Sequence, residues 1–242
     1  MNINIICCLF VLMNEESANI RKNDLKKIKV VVNKKSKSLI NIKFDNKTDI
    51  KELIRNKISK TINSNKFHLE QVYTLGESKY YNDKNIDIIH IGVTNIENVK
   101  LNTEYELVDF YVANNDTIKL DDATYKYKTV EKISNQNIEY IHKIRCKDIE
   151  LEKKLLELLI AYKYLRNRIE NTDIIFKFMP QYFTLEDVRM VYELIKETSV
   201  DKSNYRKKIV KYCEEVDIVT SNKGYRPSKM YTFKVLQGDI WL

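Results

Sequence analysis

The chain is poor in the residues that break or staple a backbone. Its 242 residues include 4 glycines and 2 prolines, too few for a Gly- or Pro-rich linker, so no flexible tether between two halves is expected. The cysteines Cys7, Cys8, Cys146 and Cys213 form no C-x-x-C pair and show no zinc spacing, and His68, His90 and His142 lie far apart. A disulfide framework and a structural zinc site are therefore not expected. Adjacent Cys7 and Cys8 sit in an apolar run, which suits buried thiols in a reducing cytoplasm. No run is long enough to span a membrane. The stretch IICCLFVLM has no basic residue before it and is followed by Glu15 and Glu16, not by a small-residue cleavage site. It reads as a buried strand and not as a signal peptide. There is no internal repeat and no low-complexity tract.

What is present is enough apolar residue, 43%, to build a packed core. The length allows one large domain or two modest ones. The net charge is +8 with a pI near 9.0, which favours an anionic partner. Asn, Ile and Lys are abundant throughout, as in an AT-rich genome, so scattered lysines mean little. Their clustering is the signal. Between Lys202 and Lys234 nine basic residues face only Glu214, Glu215 and Asp217, so this segment holds +6 of the formal +8.

Taken in order, IICCLFVLM and LKKIKVVV predict two buried strands joined by the polar NEESANIRKND, and SLINIKF a third. TDIKELIRNKISKTI, Thr48 to Ile62, places Ile50, Leu53, Ile54, Ile58 and Ile62 at helical spacing behind a cap at Thr48 or Asp49. FHLEQVYTLG, IDIIHIGVT and TEYELVDFYVA read as strands, whereas YKYKTVEKI suits a strand or a helix start. Leu151 to Asn171 is the longest helix, with Leu151, Leu155, Leu158, Leu159, Tyr162, Leu165 and Ile169 as its stripe. TDIIFKFMP reads as a strand running into Pro180.

In PQYFTLEDVRMVYELIKE, Thr184 and Asp187 have capping-box spacing ahead of the face Leu185, Val188, Val191, Tyr192 and Ile195. A short basic helix follows, opened by Ser199 or Asp201. Tyr205, Ile209, Tyr212 and Cys213 make its apolar stripe, and Ser203, Asn204, Lys207 and Lys211 lie opposite. VDIVTS and KMYTFKV then pair as a hairpin around NKGYRPS, where Gly224 supplies the free φ and Pro227 interrupts pairing. Helix, turn, basic helix and hairpin is the order of a winged helix-turn-helix. A solvated basic face on a small α+β domain is the plainer reading of the same residues.

These C-terminal segments resemble the Nudix-related transcriptional regulators of bacterial NAD metabolism. The resemblance rests on Pro180, Phe183, Thr184 and Leu185, then on Asp201, Lys202, Asn204, Tyr205, Arg206, Lys207, Lys208 and Ile209. It continues through Arg226, Pro227, Ser228, Met230, Tyr231 and Phe233. Upstream, Leu69 to Gly76 and IDIIHIGVT are similar to the strands after the family's Nudix helix. The resemblance implies an α+β chain. By that resemblance residues 1–148 would form a Nudix-like α/β/α sandwich with a mixed sheet, for sensing or dimerisation. Residues 149–242 would form a linking helix and a winged-helix DNA-binding domain. It also implies a cytoplasmic homodimer and an effector related to ADP-ribose.

One departure bears on activity. A Nudix hydrolase carries G-x5-E-x7-R-E-U-x-E-E-x-G, with U a bulky aliphatic residue, because hard divalent cations want several carboxylate oxygens on one helix face. Counting back from His68 puts Ile42 at the first glycine and Thr48 at the first glutamate. The R-E-U-x-E-E-x-G run becomes Asn56, Lys57, Ile58, Ser59, Lys60, Thr61, Ile62 and Asn63. No metal-ligand position keeps its carboxylate.

The leading expectation is thus a DNA-binding regulator, not an enzyme, with no cofactor and no metal site. Lys202, Ser203, Asn204, Arg206 and Lys207 would face bases and phosphates, and Lys223, Arg226 and Lys229 of the wing would face phosphates. Lys57, with Lys60 beside it, would contact an anionic nucleotide or sugar-phosphate effector, unless the old pocket has collapsed and Lys57 snorkels. The alternatives are a Nudix-like hydrolase with ligands elsewhere and a protein-binding winged helix. Glu70, Glu77, Asp83 and Asp87 lack ligand-like spacing and read as ordinary surface charge.

Overall fold

The structure is a computed structural model that describes residues 2–15, 25–45, 47–76, 79–80, 85–134, 137–171, 173–219 and 228–234. Its centre is β1 (Asn2–Glu15), in which every residue from Ile5 to Leu12 is buried. A strand buried on both faces needs apolar residues at every position, not at alternate ones, and IICCLFVLM supplies that run. Ile6, Cys8, Phe10 and Leu12 point into one cluster and Ile5, Cys7, Leu9 and Val11 into the other.

On one edge β1 runs parallel to β5 (Asn85–Asn95); on the other it is shared. Its first half pairs antiparallel with β3 (Ile40–Lys43), and its second half with β2 (Leu25–Asn33). The described strands form a mixed sheet in the order β4-β5-β1-β2-β6-β7-β8-β9, with β3 beside β1. The flanking strands are β4 (His68–Leu75), β6 (Tyr105–Ala113), β7 (Thr117–Leu120), β8 (Ala123–Ser134) and β9 (Asn137–Ile144). YKYKTVEKI lies in β8. Strands β7 and β9 carry no expectation from the sequence reading. The segments 16–24 and 220–227, which hold most of NEESANIRKND and of NKGYRPS, fall outside the described residues.

Two helices cover the sheet. Helix α1 (Ile50–Ile62) lays Ile54, Ile58 and Ile62 on the odd face of β1; Asp49 is its cap, accepting from the Lys51 and Glu52 amides. Helix α2 (Ile149–Arg168) lays Leu155, Leu158, Leu159, Tyr162 and Leu165 on the even face. The Tyr162 ring meets Phe110 and Phe10 edge-on at centroid distances of 5.5 and 6.0 Å. Burial of each such side chain is worth about 1.5–3 kcal/mol. This is the α/β/α sandwich with a mixed sheet that was expected.

TDIIFKFMP is not a strand. Asp173–Phe178 forms a 3-10 helix with Ile174, Ile175, Phe176 and Phe178 all buried. A short apolar run carries no period of its own, so packing chose the conformation: these side chains fill the angle between α2 and the winged helix. The Phe178 carbonyl accepts from Asn95 Nδ2 of β5 at 2.9 Å. One apolar cluster runs from the sheet through α2 into the winged helix, which is how the chain dispenses with a linker. No helix among the described residues is long and apolar enough to cross a membrane.

Candidate nucleic-acid interface

The winged helix is built on α3 (Leu185–Lys196) and α4 (Lys202–Ile209). The capping box closes α3: Thr184 Oγ1 accepts from the Asp187 amide at 3.1 Å and Asp187 Oδ2 accepts from the Thr184 amide at 2.9 Å. Leu185, Val188, Val191 and Ile195 are buried beneath it. Asp201, not Ser199, caps α4, its Oδ1 accepting from the Asn204 amide at 2.8 Å. Of α4 only Tyr205 and Ile209 are buried, and the Tyr205 ring lies 5.0 Å from that of Tyr192 in α3. Lys202, Ser203, Asn204, Arg206, Lys207 and Lys208 are all exposed. Two apolar anchors therefore turn the rest of the helix to solvent.

The wing is β10 (Cys213–Val219) paired antiparallel with β11 (Lys229–Phe233). Phe183, just ahead of α3, adds a bridge to Tyr231 through two backbone bonds, 3.0 and 2.8 Å. Phe176 stacks on Phe233 at 4.6 Å. Lys229 is exposed at the wing base with its ammonium 2.6 Å from Glu215. Lys223 and Arg226 lie outside the described residues.

The elbow between the two helices was not anticipated. Arg189 reaches Glu186 through Nη2 (2.6 Å) and Nε (3.0 Å), and Glu193 through Nη1 at 2.5 Å. Glu193 Oε1 also accepts from the Val200 amide at 2.9 Å, and Lys202 Nζ lies 3.4 Å from Glu186. Hydrogen bonding to Arg189 holds the Glu186 carboxyl below the usual range. The E-x-x-R-x-x-x-E spacing in EDVRMVYE is legible as i−3 and i+4 pairing; the bond to Val200 is not.

The winged helix is clasped to the sheet at both ends of α3. Lys26 of β2 meets Asp187 at 2.7 Å. At the other end Glu197, left-handed at φ 53°, accepts from Tyr111 and from the Asn114 amide, and Arg166 donates to the Ile195 carbonyl at 2.7 Å.

On α1, Thr61 is buried and donates to the Lys57 carbonyl at 2.9 Å, whereas Lys60 is exposed. Lys57 is half-buried with its ammonium 5.6 Å from the centroid of the Tyr105 ring. Residues 100–102 lie over the helix end, Lys100 and Asn102 donating to the Ile62 and Thr61 carbonyls at 2.9 and 2.8 Å. Asn63, at the position of the motif's last glycine, is left-handed (φ 50°, ψ 41°), a conformation that glycine and asparagine tolerate best. The residues of this helix do not fit a divalent cation, since lysine and threonine stand where carboxylates are needed. Among the described residues no group of three or more His, Cys, Asp or Glu is placed to hold a metal.

Two of the four acids read as surface charge are not so. Asp87 is fully buried, bonded to Asn4 at 2.7 Å and to Lys153 at 2.6 Å. Beside it Glu157 is buried in α2, and burial raises its pKa to about 8. Glu70 is half-buried between His68, Tyr164 and Arg168; hydrogen bonds from His68 and then Tyr164 lower its pKa to about 2. The sequence spacing hid these partners because each comes from another element. Glu77 and Asp83 fall outside the described residues.

Comparison with known proteins agrees with this geometry. Residues 175–233 match the family model of the NrtR DNA-binding winged helix domain. NrtR of Shewanella oneidensis, crystallised with a 27mer DNA, superposes with a TM-score of 0.67 at 11% identity, covering 96% of this chain and 93% of that one. A second structure of the same NrtR gives a TM-score of 0.64 at 11% identity, covering 96% and 94%. A MutT/nudix family protein of Enterococcus faecalis gives 0.66 at 14% identity, covering 97% of this chain and 88% of that one. No curated protein sequence matches the chain. Residues 175–233 thus form a winged helix domain of the NrtR type, and the chain as a whole has the fold of the Nudix-related regulator NrtR, a Nudix-like sandwich joined by a helix to a winged helix.

Proposed function

We propose that the protein is a cytoplasmic, DNA-binding transcriptional regulator whose Nudix-like domain performs no hydrolysis and serves as sensor, dimerisation platform or both. The observation that carries this reading is α4: a capped helix anchored by Tyr205 and Ile209, with its cationic and amide side chains exposed. Such a helix suits the major groove. Lys202, Ser203, Asn204, Arg206 and Lys207 contact base edges and phosphates, and the Asn204 amide pairs bidentately with adenine. Lys223, Arg226 and Lys229 of the wing bind phosphates and set register. One short helix reads few base pairs, so a two-fold homodimer reading two half-sites completes the assembly.

The test is binding to duplex DNA across ionic strength. With about six to ten phosphate contacts, affinity drops roughly 10³- to 10⁵-fold between about 50 and 200 mM salt. Affinity indifferent to salt over that range rejects the reading. Magnesium-dependent release of phosphate or AMP from nucleotide diphosphate sugars would favour a hydrolase instead.

For the sensor role, Lys57 is the main contact and Lys60 the helper for an anionic, ADP-ribose-like effector bound without metal. The half-buried Lys57 stem beside the exposed Lys60 supports this assignment. Calorimetry with ADP-ribose in EDTA checks it: the parent binds and Lys57→Ala binds at least tenfold more weakly, roughly the worth of one charge-assisted hydrogen bond. No heat from the parent leaves the domain as a scaffold.

A further inference from the structure

We infer that Arg189 is a positioning residue for DNA reading: its guanidinium fork sets the angle at which α4 meets the groove and keeps Lys202 available for phosphate. The inference rests on the DNA-reading function proposed above. Arg189 is well buried, its side chain only 12% exposed, and is no candidate for a DNA contact itself. Its five donors lie in one plane, which lets a single side chain bind carboxylates on both sides. It takes Glu186 bidentately, one turn back, and Glu193, one turn on.

One of those carboxylates holds the chain leading into α4 and the other holds its first residue. Glu193 Oε1 accepts from the Val200 amide at 2.9 Å, in the segment between the helices and two residues before α4 starts. That bond fixes the path of the chain into the Asp201 cap. Glu186 holds the Lys202 ammonium at 3.4 Å. Because both Glu186 oxygens already accept from Arg189 Nε and Nη2, Lys202 can leave for a phosphate without leaving that carboxylate unbonded. The fork therefore governs both the direction of α4 and the freedom of its first cation.

A positioning role predicts loss of discrimination without loss of attraction. Duplexes selected from a random library by the full-length protein supply a specific probe, and a scrambled duplex supplies the reference. Arg189→Lys keeps the charge but not the fork. It lowers the ratio of specific to scrambled affinity about tenfold, the size of one mismatched base pair, while affinity for the scrambled duplex at low salt stays within about threefold of the parent, since the exposed cations remain. Glu193→Ala lowers the ratio likewise, and Glu193→Gln, whose amide oxygen still accepts from Val200, restores most of it. A parental ratio in Arg189→Lys or in folded Glu193→Ala overturns the inference, as does an equal fall in both affinities. Failure of the parent to enrich any duplex overturns instead the DNA-reading function on which it rests.

Discussion

The sheet domain and helix α4 of the winged helix handle charge in opposite ways. The sheet domain turns much of its charge inward: Asp87 with Lys153, Glu157 behind them, Glu70 among three partners, Lys57 over a tyrosine ring. Helix α4 turns its charge outward, and on it only Tyr205 and Ile209 are hidden. Two lysine-bearing helices thus present different chemistry. On α1 the i to i+4 stripe meets a sheet, and residues 100–102 cap its end. On α4 the two apolar anchors face α3 and the side chains between them are exposed. A count of lysines does not separate the two; the area of apolar surface behind them does.

The contrast is broken most directly by removing cations from each helix. Alanine at Lys202, Arg206 and Lys207 together should flatten the salt dependence of DNA binding by about one unit of slope for each phosphate no longer neutralised. Alanine at Lys57 and Lys60 should leave the slope as it is. Arg226→Ala should weaken all duplexes alike, and Asn204→Ala should relax preference at one position of each half-site. Filter or anisotropy titrations at several salt concentrations check all of these.

A second test reads the inward charges through pH. Glu157 has its folded pKa raised to about 8 by burial, above its unfolded value. The stability from keeping it protonated is fully present below the unfolded pKa and is lost as pH rises through about 8. Glu70, lowered to about 2 by its hydrogen bonds, contributes stability above its unfolded pKa that is lost as pH falls toward that value. Glu157→Gln should therefore raise stability relative to the parent at pH ~9 by on the order of a few kcal/mol and should remove the part of the fall in stability that Glu157 causes between its unfolded pKa and about 8 in urea titrations.

Two smaller effects sharpen the seam between the regions and the reading of α1. Asp187 serves both the capping box and Lys26, whose side chain is only 8% exposed. Asp187→Ala should cost about 2 kcal/mol and Thr184→Ala about 1 kcal/mol in chemical denaturation. Smallest is Asn63: Asn63→Gly should stay within ~0.5 kcal/mol of the parent, whereas Asn63→Ala should cost about 1 kcal/mol, because the position is left-handed. Equal costs for the two would remove the backbone argument for the motif register.

Much of this was legible before any tertiary contact was known. Caps, periodicity and local charge live within a turn or two of sequence, so the Thr184–Asp187 box, the faces of α1, α2 and α3, and the exposed side chains of α4 could be read from spacing; Asp49 was one of two possible caps, and Tyr212 and Cys213, placed on the α4 stripe, fall beyond the helix end at Ile209. The continuous run in β1 announced burial on both faces for the same reason. Other features depended on residues far apart in the chain. The tertiary structure made Asp173–Phe178 a 3-10 helix, because an aperiodic apolar run takes the conformation its neighbours leave room for. It split one edge of β1 between β2 and β3. It buried Asp87 against Lys153, and it brought the Val200 amide to the carboxylate that Arg189 holds. Spacing reports which face of an element a residue occupies; only packing decides what stands opposite it, and a charge takes its meaning from that partner.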